Sequence, residues 1–222
     1  MAWEFDFLYA LQEIHNPILD EFMTFASMLG NAGLLWIVLA IILLCIPRTR
    51  KCGGQMALSM LLTFIIGNLI LKNVVARERP CWIDETIPLL LDCPVDYSFP
   101  SGHTMNGFTA ALTLFFYHKK WGTVALVLAA VIAFSRLYHF VHFPTDVLAG
   151  IVVGVFSAVV MQKIFQYWAK RYKRLYRMLR HINLVSQHLD YFVRSNMISL
   201  LRFTNLVIAS TESGWLLNIA RS

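Results

Sequence analysis

Charge is scarce along this chain. Only 14% of its 222 residues are Asp, Glu, Lys or Arg, against 58% hydrophobic, which leaves too much apolar surface to hide in one soluble core and argues for a bilayer. No lysine or arginine precedes Arg48, so the N-terminus lacks the basic segment that opens a cleavable signal peptide. Cysteine is limited to four residues, none spaced with histidine as in a zinc site; no metal and no other cofactor is expected. Internal repeats and low-complexity segments are absent.

What fills the chain instead is a series of uncharged runs, residues 22–47, 53–71, 97–117, 121–135 and 147–162. Most reach, or nearly reach, the roughly 20 residues of a spanning helix, and the two shorter ones extend into weakly polar flanks. The expected fold is all-α, a polytopic transmembrane helix bundle of five to six spans. A sixth span would need residues 1–31, which Glu4, Asp6, Glu13, Asp20 and Glu21 interrupt. An interfacial amphipathic helix over residues 2–14, then a second helix opened by Asn16-Pro17, fits better. Trp3, Phe5, Phe7 and Tyr9 read as interfacial anchors. Three regions result: residues 1–31 as interfacial helices, 32–168 as the transmembrane core, and 169–222 as a basic segment and tail. In the tail Leu189, Phe192, Val193, Met197, Leu200 and Leu201 recur with rough helical periodicity, while Arg194 and Arg202 argue against a further span.

The basic residues set an orientation. Arg48, Arg50 and Lys51 follow the first run, Lys119 and Lys120 the third, and Lys163, Lys170, Arg171, Lys173, Arg174, Arg177 and Arg180 follow the fifth. The positive-inside rule makes that side the cytoplasm, in a multi-pass protein of the plasma membrane. The net charge of +6 is then mostly a topology signal, with membrane lipids as partners of the 170–180 cluster, and nucleic acid is a poor partner for basic residues that hug a bilayer.

The opposite side holds few cations, and each sits where the topology rule disfavours it: Lys72, Arg77, Arg79 and Arg136. If the second helix persists through "LKNVVARERP", Lys72 and Arg79 lie about two turns apart on one face. "FPSGHT" opens the next helix, with Ser101 at its start, Gly102 permitting close backbone approach and His103 at its mouth, where free N–H groups favour anions. Arg136 ends the fourth run, and Asp146 falls in the first turn after Pro144. Cations, imidazoles and a carboxylate on one membrane face suit phosphate chemistry. The cations neutralise non-bridging oxygens, a neutral imidazole is a nucleophile supported by a carboxylate on its other nitrogen, and a second histidine protonates the leaving oxygen.

At these residues the chain resembles the type 2 phosphatidic acid phosphatase (PAP2) family, whose signature is Lys-x6-Arg-Pro, Pro-Ser-Gly-His and Ser-Arg-x5-His-x3-Asp. Lys72 with Arg79-Pro80, Pro100-Ser101-Gly102-His103, and Ser135-Arg136 with His142 and Asp146 match its three parts. The resemblance, over residues 55–165, implies that His142 attacks phosphorus to give a phosphohistidine, Asp146 supports it and His103 protonates the leaving group. Lys72, Arg79, Ser101, Gly102 and Arg136 would hold the phosphate, without a metal. The short chain looks like bacterial members acting on undecaprenyl diphosphate or phosphatidylglycerophosphate, so a lipid phosphate is the expected substrate. Phosphatidic acid, transfer of the phosphoryl group to another acceptor, and non-catalytic binding of an anionic lipid are the alternatives.

His139 falls outside the signature and reads as an interfacial side chain with a hydrogen bond. Arg77 either flanks the phosphate or pairs with Glu78 or a loop carboxylate. Cys81 and Cys93 share the outer loop, where a disulfide and two free thiols are equally admissible; Cys45 and Cys52 read as unpaired thiols. The apolar stretch "IPLLL", residues 87–91, is expected to pack over the site.

Overall fold

The first helix ends at Gln12 and Asn16 caps the next: its side-chain oxygen accepts from Leu19 N at 3.0 Å and Pro17 takes the first helical position. This separates α1 (Ala2–Gln12) from α2 (Pro17–Leu29) in the computed structural model, which describes residues 2–219. There follow α3 (Leu34–Cys45), α4 (Arg50–Phe64), a π-helical segment (Ile65–Leu71), single turns α5 (Lys72–Val75) and α6 (Pro80–Ile83), α7 (Gly102–Tyr117), α8 (Lys119–Tyr138) and α9 (Pro144–Ile219). No strand occurs among the described residues.

Among the described residues, three helical segments, Arg50–Ile83, Lys119–Tyr138 and Pro144–Arg180, are long and apolar enough to cross a membrane. A fourth candidate is the pair Pro17–Leu29 and Asn31–Cys45, bent by 40°. Where the sequence reads as one uninterrupted run, Gly30, Asn31, Ala32 and Gly33 break the helix; Ala32 and Gly33 take φ of 51° and 67°, a region open to glycine and costly to alanine. The run at 97–117 yields only the 16 residues of α7, because its first residues form the loop that approaches the site.

Residues Met1–Gln166 and Tyr167–Ser222 form two compact units. In the first, one core joins Trp36 and Ala40 of α3, Met56 of α4, Ala110 of α7, and Ala129 and Ile132 of α8. On α9, Gly150 and Gly154 allow close approach to α7: a Cβ on Gly154 would lie 2.7 Å from Met105 O. A second core lies under the turn between α8 and α9, where Leu8 and Leu11 of α1 pack with Cys81, Leu137, Phe140 and Phe143. The four N-terminal aromatics, alike as interfacial anchors in sequence, divide here. Trp3, Phe7 and Tyr9 are exposed; Phe5 is half-buried and meets Phe143 edge-on at 5.3 Å, and Tyr9 stacks on Phe140 at 5.8 Å and donates to Asp84. Ile87 and Leu89 pack on the same core. In the second unit, every described side chain from Tyr167 to Ile198 is exposed; the side chains of Leu200, Leu201 and Arg202 lie outside the described residues.

Candidate active site

The second helix does not persist to Arg79. It ends at Val75, and Ala76 with φ 45° turns the chain, so Lys72 and Arg79 are not on one helical face. Pro80 opens the short turn α6. The two cations meet through a residue the sequence did not single out, Asp96: Lys72 Nζ pairs with Oδ2, and Arg79 Nη2 donates to Oδ1 at 2.6 Å while its Nε donates to the Asp96 carbonyl at 2.6 Å. Burial pushes the Asp96 carboxyl up, but the hydrogen bonds and charges of Lys72 and Arg79 outweigh it and hold the group below its usual value.

Lys72, Arg79, Gly102, His103, Arg136 and His142 line one cavity of about 340 Å³. Arg79 is nearly fully buried and its planar fork is saturated, with Nη1 donating to Val141 O at 2.7 Å and to His142 Nε2 at 3.1 Å. A guanidinium has no acceptor, so Nε2 of His142 carries the lone pair and Nδ1 the proton. That Nδ1 faces Ser98 Oγ at 3.3 Å and Asp146 Oδ2 at 3.6 Å, and Ser98 Oγ donates to the same Oδ2. Burial lowers the His142 pKa to about 3, against the pull of the Asp146 hydrogen bond and with the charges of Arg79 and Arg136 acting in the same direction as burial. The imidazole is therefore neutral at pH 7, with its nucleophilic nitrogen turned to the cavity cations. Arg136 lies on the far wall: Nη1 donates to Ser27 Oγ, but buried Nε has no hydrogen-bond partner among the described residues, an orphan donor that an anion in the cavity would satisfy.

His103 stands at the start of α7 with Nε2 3.1 Å from Asn31 Oδ1. A Cβ on Gly30 would come within 2.5 Å of its ring, so Gly30 makes the room that His103 occupies. Asn31 and Gly30 were missed in the sequence, although two glycines and an asparagine inside an apolar run are a break signal. A Cβ on Gly102 would enter open space. Two of the candidate catalytic and phosphate-binding residues stay outside the cavity lining. Asp146 is fully buried behind His142, and Ser101, also fully buried, receives Thr104 Oγ1 at 3.0 Å and donates its own N–H to Asp146 O. Ser101 thus ties α7 to α9.

Arg77 takes neither expected role: it pairs with Glu4 and Asp146. His139 is buried and has the expected hydrogen bonding, through Nδ1 to Ser135 O and through Nε2 to Thr24 Oγ1 at 3.2 Å. Cys81 and Cys93 form a disulfide, and Cys45 and Cys52 are free. No group of three His, Cys, Asp or Glu able to hold a metal ion occurs among the described residues.

A second cavity, of about 310 Å³, lies between α3 and α4, lined by Ile37, Ile41, Leu44, Met60 and Leu61; it shares Ala32, Phe64 and Asn106 with the first. A cationic pocket therefore adjoins an apolar groove, a shape for an anionic headgroup with a hydrocarbon tail.

The model of the PAP2 superfamily matches residues 53–170. Among curated proteins, an undecaprenyl-diphosphatase from Sulfolobus acidocaldarius is 36% identical over 137 residues, covering 61% of this chain and 66% of that relative, just under two thirds of its length. Phosphatidylglycerophosphatase B from Bacillus subtilis is 32% identical over 154 residues, 64% of this chain and 73% of that one. The crystal structure of Aquifex aeolicus LpxE superposes with a TM-score of 0.65 at 28% identity, covering 73% of this chain and 96% of that one.

Proposed function

The chain belongs to the PAP2 superfamily, and on that premise we propose that it is an integral membrane phosphatase that removes the terminal phosphate of a lipid phosphate or diphosphate, with undecaprenyl diphosphate as the preferred substrate. The observation that carries this reading is the adjacency of the cavity holding Lys72, Arg79, Arg136, His103 and His142 to the apolar groove between α3 and α4. The named relatives support the lipid class and, through the 36% identical protein, the diphosphate.

In this reading the phosphate displaces the Asp96 carboxylate from Lys72 and Arg79, takes the free Nε of Arg136 and meets the backbone at Gly102. The shift of Arg79 onto phosphate uncaps Nε2 of His142. Nε2 bonds to phosphorus as the bond from phosphorus to the lipid oxygen breaks, and His103 gives that oxygen its proton. Asp146, whose Oδ2 lies 3.6 Å from Nδ1, stabilises the imidazolium that develops. Water then attacks phosphorus, passes its proton to His103 and releases phosphate and free His142. No step calls on a metal.

The protein crosses the membrane five times, counting α7 with the loop before it, and the site faces the extracytoplasmic side. Two observations support that orientation: the outer loops hold few cations, and the Cys81–Cys93 disulfide closes a loop beside the site, a bond that persists in oxidising compartments. The test is phosphate release by the purified protein in detergent with EDTA, from undecaprenyl diphosphate, phosphatidylglycerophosphate and phosphatidic acid in parallel. Release is expected from at least the first, undiminished by EDTA. Silence on all three would overturn the reading in favour of lipid binding without chemistry.

A further inference from the structure

Arg77 lies between two signature residues, yet its side chain turns away from the phosphate cavity and toward the back of Asp146. One nitrogen, Nη1, donates to Asp146 Oδ1 and to Thr145 Oγ1, each at 2.6 Å, and Nη2 donates to Glu4 Oε2 at 2.6 Å. The guanidinium also lies over the Phe143 ring, 4.0 Å from its centre. Glu4 is itself only 4% exposed, and its other oxygen accepts from Thr145 Oγ1 at 2.6 Å. The two oxygens of Asp146 therefore have separate duties. Oδ2 serves Phe143 N at 2.8 Å, Ser98 and the His142 side, while Oδ1 is held from behind by Arg77.

We infer that Glu4 and Arg77 are positioning residues for the phosphatase reaction, a relay through which helix α1 fixes the orientation of Asp146 and thereby of His142. The inference rests on the phosphatase reading given above. Its physical basis is that a carboxylate held on both oxygens, at Oδ1 by the charged Nη1 of Arg77 and at Oδ2 by Phe143 N and Ser98 Oγ, cannot rotate about its own axis, so Oδ2 stays turned toward Nδ1. Glu4 keeps the guanidinium in place and offsets its charge, since without it the half-buried cation would draw Asp146 away from the imidazole. Glu4 lies outside residues 53–170, the part that matches the family, so this contribution to the site comes from the chain's own N-terminal helix. A plain structural strut is the competing explanation, and it makes a different prediction.

The experiment measures kcat, KM and thermal midpoint for the full-length protein and for Arg77→Gln, Arg77→Lys, Glu4→Gln and the Glu4→Gln/Arg77→Gln double variant. Arg77→Gln is expected to lower kcat about 10- to 100-fold, the loss typical of removing a partner that orients a functional ligand, with KM within about 3-fold of wild type, given that no lining of the phosphate cavity is touched. Glu4→Gln is expected to lower kcat about 3- to 10-fold, and the double variant to be no worse than Arg77→Gln alone, the signature of residues acting in one chain. Arg77→Lys, which retains the charge, should recover part of the loss and guards against a Gln variant that fails to fold. Thermal midpoints that fall while kcat stays within about 2-fold, or a change confined to KM, would overturn the inference and leave a strut. A wild-type protein that releases no phosphate from any lipid would overturn the phosphatase reading and this inference with it.

Discussion

His142→Ala is expected to abolish phosphate release, lowering kcat by at least about 10³-fold, because the variant has no atom to form the bond to phosphorus and other site groups stabilise charge without replacing it. The environment of the imidazole explains why the loss is so large. Its Nε2 is an acceptor turned to the cavity and capped by Arg79, its Nδ1 is directed to Ser98 and Asp146, and burial keeps it neutral. The alanine variant should fold, since it removes a side chain whose polar contacts are to Arg79, Ser98 and Asp146, all of which keep other partners. Phosphate release within about 10-fold of wild type would reject this nucleophile.

Arg79→Lys carries the second largest effect, an expected fall in kcat/KM of about 10²-fold or more with the fold retained. Charge is conserved in this change, so the loss isolates geometry. Arg79 spends Nε, Nη1 and Nη2 on Asp96, Val141 and Tyr97 carbonyls and on His142; an ammonium on a flexible stem cannot span that set, and it offers phosphate a single point instead of a fork. The readout is steady-state kinetics on the same lipid diphosphate, and a Lys variant within about 3-fold of wild type would show that net positive charge suffices.

Asp96 bridges the two cations of the pocket. Its carboxylate spans Lys72 and Arg79 as a phosphate would, and more than half of its side chain is exposed, so it can swing outward when a dianion competes. The loop that carries it is tethered at its base by the Cys81–Cys93 bond and by Ser98 N donating to Arg77 O at 2.8 Å.

The sequence made the helical character, the approximate limits of four apolar segments, and the segment ends that carry Lys72, His103 and Arg136 legible, because apolar runs and Pro, Gly and Asn breakers act locally. What it could not convey were contacts made across the fold. Lys72 and Arg79 looked like neighbours on a continuous helix, yet the left-handed turn at Ala76 and the carboxylate of Asp96 bring them together. The break at residues 30–33 was hidden by the apolar residues around it, although its glycines and asparagine were the available signal; what it makes room for, the ring of His103, depends on α7, 70 residues further on. Arg77 had two local partners in prospect and took neither, since its partners lie 73 and 69 positions away at Glu4 and Asp146. No spacing rule carries that information.

The central claim is a covalent bond between phosphorus and one ring nitrogen of His142. The direct measurement is to react the purified protein briefly with undecaprenyl diphosphate labelled in its terminal phosphate, quench in alkali, where phosphohistidine survives, and map the label by peptide mass analysis. Label on His142, lost in His142→Ala, is the predicted result. Label on any other residue, or turnover with no labelled protein at any time point, would contradict it.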